Sequence, residues 1–189
     1  MPFSHGHSFM EPAGTHHPDY QELFSLFPSG GEAPPVEFVQ AEEVPAPYHD
    51  LLVHQHHMTV TVEAHHECRV DVQILDRVQE GDSYTRKILL VSQRSGAVVQ
   101  FGIVRVWLNY CSEEVRRRIL EGKTPLGRIL IENDVLRRIE PTAYLRILPC
   151  PALESWFGAQ GRQSAYGRLA YIHCNNQPAI ELMEVVVPE

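Results

Sequence analysis

Lysine is nearly absent from this sequence: among sixteen basic residues only Lys87 and Lys123 are lysines, and the rest are arginines. Long hydrophobic runs are missing too. No stretch approaches the ~18 uncharged apolar residues of a membrane helix. Residues Met1 to Met10 lack the basic start and apolar core of a secretory leader. The four cysteines, Cys68, Cys111, Cys150 and Cys174, never fall at C-x-x-C spacing, which excludes zinc-ribbon and thioredoxin-like sites. Reduced, buried thiols in a cytoplasmic protein are the expectation. Positive charge is in deficit, with a net charge of −8. A nucleic-acid binder normally presents a basic face, so neither nucleic acid nor membrane is expected as a partner.

What is present is globular. The chain has 189 residues, 43% of them hydrophobic, enough for one domain. Arginine grips carboxylates with a planar fork that lysine lacks, so an acidic protein that binds an anion must concentrate such arginines in one pocket. Residues 1–42 differ in composition from the remainder. They carry His5, His7, His16, His17, several prolines and the run Ser29-Gly30-Gly31. They read as a flexible N-terminal arm ahead of a domain over 43–189. Inside the arm Tyr20, Leu23, Phe24 and Phe27 recur at helical spacing, with Asp19 as cap and Pro28 as stop.

The domain alternates in a strand-rich way. Val60 and Val62 alternate with Thr59, Thr61 and Glu63, predicting a short strand. Firmer strands are predicted from Val70 to Leu75, Tyr84 to Val91 and Val98 to Leu108, with turns at Glu80-Gly81-Asp82 and Arg94-Ser95-Gly96. Ser112 caps a helix that Gly122 stops, and Thr124-Pro125 opens another. Val135 to Leu148 reads as a strand interrupted at Pro141, and Ala152 to Phe157 as a short helix. Leu169 to Cys174 and Ile180 to Val187 form a last hairpin around Asn175-Asn176-Gln177. Strands joined by short turns, with helices grouped between them, predict an α+β fold: an antiparallel sheet with helices on one face.

Few residues advertise chemistry. His54, His56, His57, His65 and His66 crowd one stretch, yet no cysteine or carboxylate stands at zinc-ligand spacing, so no metal is expected. Gly122-Lys123-Thr124 lacks the upstream glycine of a phosphate loop, since Arg117 holds that place. Arg86 is more telling. It interrupts the apolar strand Tyr84 to Leu90, where a buried charge is costly unless it meets an anion. The alternatives are a solvent-facing arginine or one paired with a buried glutamate. Glu181 and Glu184 interrupt the last strand in the same way, and strict alternation sets them on opposite faces.

The segment Gly122-Lys123-Thr124-Pro125-Leu126-Gly127-Arg128 resembles a motif of the chorismate lyases (chorismate pyruvate-lyase, 4-hydroxybenzoate synthase). Three further stretches fall in the family's order: Leu51-Leu52 leading to Met58-Thr59, Arg86-Lys87-Ile88-Leu89-Leu90, and Glu184-Val185-Val186-Val187-Pro188. The resemblance spans about residues 45–188. It implies a cofactor-independent lyase that splits chorismate into 4-hydroxybenzoate and pyruvate. Arg86 and the backbone amides of Met58 and Leu126 would hold the aromatic carboxylate. Glu184 would meet the far end of the ring, making Arg86 and Glu184 the catalytic pair. A monomer or dimer is equally compatible. The interval Pro178 to Pro188 is one residue longer than the family pattern, so a bulge is required, and Glu181 competes with Glu184 for the pocket. Two other readings stand beside the lyase. One is a non-catalytic domain binding an aromatic carboxylate, as in effector-sensing domains of some bacterial transcription regulators; the lack of a winged-helix segment here ranks it second. The other is a related enzyme acting on another carboxylated ring.

Overall fold

The computed structural model describes residues 17–28 and 32–188. The histidine-rich start through His16 and the Ser29-Gly30-Gly31 run lie outside the described residues. The strands are β1 (Val36–Val39), β2 (Val70–Glu80), β3 (Ser83–Ser92), β4 (Val98–Trp107), β5 (Arg137–Ile147), β6 (Ala165–Cys174) and β7 (Gln177–Val186). They make one sheet in the order β1-β5-β6-β7-β4-β3-β2, and every pairing is antiparallel. The helices are α1 (Tyr20–Ser25), α2 (Tyr48–Leu52), α3 (Met58–His65), α4 (Glu113–Glu121), α5 (Leu126–Glu132) and α6 (Pro151–Phe157). The fold is therefore the expected α+β architecture.

Strand alternation sorts the core into two layers. Leu89, Phe101, Ile103, Met183 and Val185 point to one face, where Phe24 and Phe27 beside α1 and Leu153 and Trp156 of α6 cover them. The Phe101 and Trp156 rings stack at 3.6 Å. The opposite residues of the same strands meet α2 to α5. Ile88, Leu90 and Val186 pack with Leu52, Met58 and Val62. Val104 and Leu182 pack with Val115, Ile119, Ile129 and Leu130. The main helical layer thus lies on one face as expected, and α1 and α6 close the other in addition.

Turn chemistry worked as predicted. Gly81 and Gly96 take φ of +58° and +71° in the two hairpin turns, and Asn175 and Asn176 take +51° and +65° in the last one. Ser112 caps α4, accepting from the Val115 amide at 3.4 Å, and Gly122 ends it with φ +68°. The start of α5 falls one residue later than expected, with Pro125 at the cap position and no side-chain cap from Thr124.

Two readings need correction. Residues 58–65 are helix α3, not a strand. Met58, Thr59 and Val62 are buried while Val60 is exposed, a helical spacing that strand-favouring Val and Thr concealed. The segment from residue 17 to 42 also does more than the composition of an arm suggested. Asp19 caps α1, accepting from Gln21 and Glu22, as predicted. But Leu23, Phe24 and Phe27 are core residues, and β1 pairs with β5 along Val36 to Val39. Three large apolar side chains outweigh the disordering tendency of their polar and proline-rich surroundings. Among the described residues the cysteines are unpaired, and Cys174 alone of the four is buried. Among those residues no helix is long and apolar enough to cross a membrane.

Replacing Phe24 with Ala should therefore destabilise the whole sheet, by about 3–5 kcal/mol. Chemical denaturation checks this; a loss below about 0.5 kcal/mol would show that the segment is only loosely docked.

Candidate functional site

The four residues singled out from the sequence converge. Arg86 on β3, Glu184 on β7, Met58 at the start of α3 and Leu126 at the start of α5 line one cavity of about 40 Å³. Gln100, Gly102 and His57 line it as well. The sheet forms its floor and the two helix starts its roof. Met58 and Leu126 are the first residues of α3 and α5, where backbone amides have no partner within their helix. An ion pair between Glu63 and Arg128 fastens α3 to α5, and Glu63 also accepts the Val70 amide at 2.9 Å. Gly127 permits the close approach: a Cβ there would stand 3.0 Å from the His57 side chain and 3.1 Å from the Thr59 hydroxyl.

The choice between the two glutamates is decided by register. Ile172 pairs with Ile180 and His173 with Pro178, so the extra residue is Ala179, ahead of both glutamates. Glu181 and Glu184 therefore keep opposite faces. Glu184 enters the cavity, and Glu181 lies 3.7 Å from Arg105 on the other side.

Two arginines are the largest fully buried side chains of the protein, Arg86 and Arg168. Arg168, on β6, was not anticipated. Its Nε donates to Glu184 at 2.8 Å, and its remaining nitrogens donate to the carbonyls of Leu52, His54 and His56 at 3.2, 3.0 and 3.1 Å. It thus ties the 52–57 loop to the sheet. Arg86 is the opposite case. At 1% exposure it reaches the Ile119 carbonyl at a long 3.5 Å, near the negative end of α4, with the Tyr84 hydroxyl beside it. Its Nε–H has no hydrogen-bond partner, and no carboxylate among the described residues pairs with it. Burial pulls the guanidinium down from its ordinary value, against a raising influence from the neighbouring Tyr84 hydroxyl. Glu184 is pushed up by burial and pulled back by Arg168 and by a hydrogen bond from Gln100.

Among the described residues no three His, Cys, Asp or Glu side chains group as a metal site. His57 lines the cavity, and His54 stands in the loop beside it. His54 Nε2 donates to the Leu51 carbonyl at 2.7 Å, and its Nδ1 accepts the His56 amide at 3.0 Å. His57 Nε2 accepts from Arg137 Nε at 2.7 Å. Burial and neighbouring arginines hold both rings down to about 4, hence neutral. His57 also lines an open groove of about 710 Å³, with Val60, Ile131, Leu136 and Arg137. Among the described residues it is the side chain common to groove and cavity.

No family model matches the sequence, and no curated protein does. Solved structures do resemble the fold. PhnF of Mycobacterium smegmatis superposes with a TM-score of 0.52 at 12% identity, over 68% of this chain and 62% of that one. The chain thus spans less than two thirds of PhnF. The effector domain of PhnF gives 0.49 at 12% identity, over 70% and 88%. A GntR-family transcriptional regulator from Bacillus cereus gives 0.41 at 10%, over 63% and 92%. The two lower scores are too loose to argue from, and at 12% identity the first speaks for the fold alone.

The lyase expectation, and with it the chorismate, 4-hydroxybenzoate and pyruvate chemistry, is corrected here: the solved structures that resemble this fold carry the names of regulators and effector domains, and none of those named above is a lyase. The structure adds a physical reason. The glutamate expected to act as an acid is held by Arg168.

The neutral histidines give a signed pH dependence. The unfolded chain takes up these protons near pH 6.5 and the folded one only near 4. Their stabilising contribution is therefore complete above about 6.5 and lost as pH falls toward 4. The thermal midpoint should drop between pH 7 and 5, and drop less when His54 and His57 are both Gln; an equal drop in that variant would remove the histidines from the account.

Proposed function

We propose that this chain is a non-catalytic ligand-binding domain, taking a small aromatic carboxylate into the Arg86 cavity as an effector. The observation that carries this is the buried guanidinium with an unpartnered Nε–H. Taking such a cation out of water is costly unless an anion answers it. A protein that keeps one has a use for the missing counter-charge, and a carboxylate fits the fork in two-pronged fashion. Met58 and Leu126, the first residues of α3 and α5, line the same cavity. The regulator-like fold supports an effector rather than a substrate. Because the cavity is about 40 Å³, binding requires its wall to yield. The His57 side, shared with the groove, is the thin part of that wall.

Benzoate, a ring with one carboxylate, is the simplest probe. Calorimetric titration should show binding, and Arg86→Ala should weaken it by about 2–5 kcal/mol. Arg86→Lys should recover only part, since a point charge cannot replace the fork. Without ligand, Arg86→Met should leave the thermal midpoint unchanged or raise it, because an unpaired buried charge is removed. Equal benzoate affinity in wild type and Arg86→Ala would sink the proposal.

A further inference from the structure

The cavity holds a second unanswered atom, of opposite polarity. Gln100 is 2% exposed on β4 and lines the cavity, and its Oε1 is buried without a hydrogen-bond partner. A carboxamide can be turned over without changing its shape, so which end is unpaired needs a physical argument. The register supplies it. Gln100 faces Val186, and Gly102 faces Glu184, so Gln100 and Glu184 are diagonal neighbours on one face of the sheet. Of the two ends of the amide only the NH2 group can donate to a carboxylate. Glu184 thereby holds the nitrogen toward itself and leaves the oxygen unpaired. Arg168 does not answer that oxygen: four of its five N–H groups go to Glu184 and to the carbonyls of Leu52, His54 and His56.

We propose that Gln100 is a specificity-determining residue, which selects a carboxylate ligand bearing a hydrogen-bond donor, a hydroxyl or an amine, over the same carboxylate without one. The proposal rests on the Arg86 reading for the carboxylate end and assigns the other polar requirement of the same site. A buried acceptor left unpaired carries its full desolvation penalty. A ligand with a donor lifts that penalty, and a purely apolar ring makes it permanent. A cavity of this size can hold a water that donates to Oε1 meanwhile. The ligand's donor would replace that water, so the discrimination arises when an apolar ring displaces it with nothing in return.

The test is a ligand–protein double cycle. Benzoate and its three hydroxy and three amino derivatives are titrated into wild type, Gln100→Met and Gln100→Asn. In wild type at least one donor-bearing isomer should bind about tenfold or more tightly than benzoate. In Gln100→Met, which keeps the length but removes the acceptor, that advantage should fall below about twofold, with benzoate affinity equal or higher. Gln100→Asn, which keeps the amide but withdraws the oxygen, should lie between and serves in place of Gln100→Met should that variant fail to fold. An advantage that persists unchanged in both variants overturns the role of Gln100 and leaves the Arg86 site standing. Wild type that shows no preference for any donor-bearing isomer overturns it too. If no member of the panel binds wild type, the Arg86 reading falls and this one falls with it.

Discussion

A guanidinium buried in a sheet must find acceptors, and the organisation of this domain follows from how two of them do so. Arg86 and Arg168 occupy the same face of one sheet, each as buried as the core leucines. Arg168 has a carboxylate and three carbonyls. Arg86 has one distant carbonyl and the neighbouring Tyr84 hydroxyl. Ionic and hydrogen-bonding needs of similar size have thus been met in one place and left open in the other. The first arrangement builds a wall, because the carbonyls belong to the 52–57 loop. The second borders the small cavity behind that wall. Neither is explained by stability alone, since apolar residues of similar volume would serve the fold at least as well.

The sheet order makes such burial possible. β7 and β4 are central, flanked by β6 and β3, so both faces of these strands are covered by helices and loops. A polar side chain on an edge strand would simply turn to water. On these four strands Arg86, Gln100, Arg168 and Glu184 cannot, and each must be answered from within. Small residues give them room. Gly102 faces Glu184 across β4 and β7, and a Cβ on Gly167 would stand 2.5 Å from the Glu184 carbonyl oxygen. The backbone is thus closely packed around the glutamate, which fixes the carboxyl on which Arg168 and Gln100 converge.

Much of this was legible in the sequence, and the failures have physical causes. Turns were read well because Gly and Asn at positive φ are local requirements. The core strands were read well because their alternation is strong. Helix α3 was misread because its residues favour strand and only burial by α2 and α5 makes it helical. Arg86 stood out as a charge inside an apolar strand. Arg168 bears the same mark, in Gly167-Arg168-Leu169-Ala170, but the strand was begun at Leu169 when it begins at Ala165. A boundary error of four residues therefore hid half of the ion pair. Gln100 was hidden differently: a neutral amide in Val98-Val99-Gln100-Phe101 raises no alarm until its oxygen is seen without a partner. Sequence signals a buried charge, whereas an unpaired atom is a property of three-dimensional neighbours.

The resemblance to an enzyme family failed at the level where a shared fold stops constraining chemistry. Strand register brings Arg86 and Glu184 to one cavity. What a carboxyl does there depends on what faces it. An arginine can only donate. The Glu184 oxygen 2.8 Å from Arg168 therefore accepts and carries no proton toward the cavity. A carboxylate oxygen used this way orients its neighbours. Its effect passes to Gln100, whose nitrogen it claims. The site thereby acquires a direction: donors on the Arg86 side and an acceptor on the Gln100 side, facing one small space. A polarity of this kind distinguishes one end of a ligand from the other, which suffices for recognition and requires no reaction.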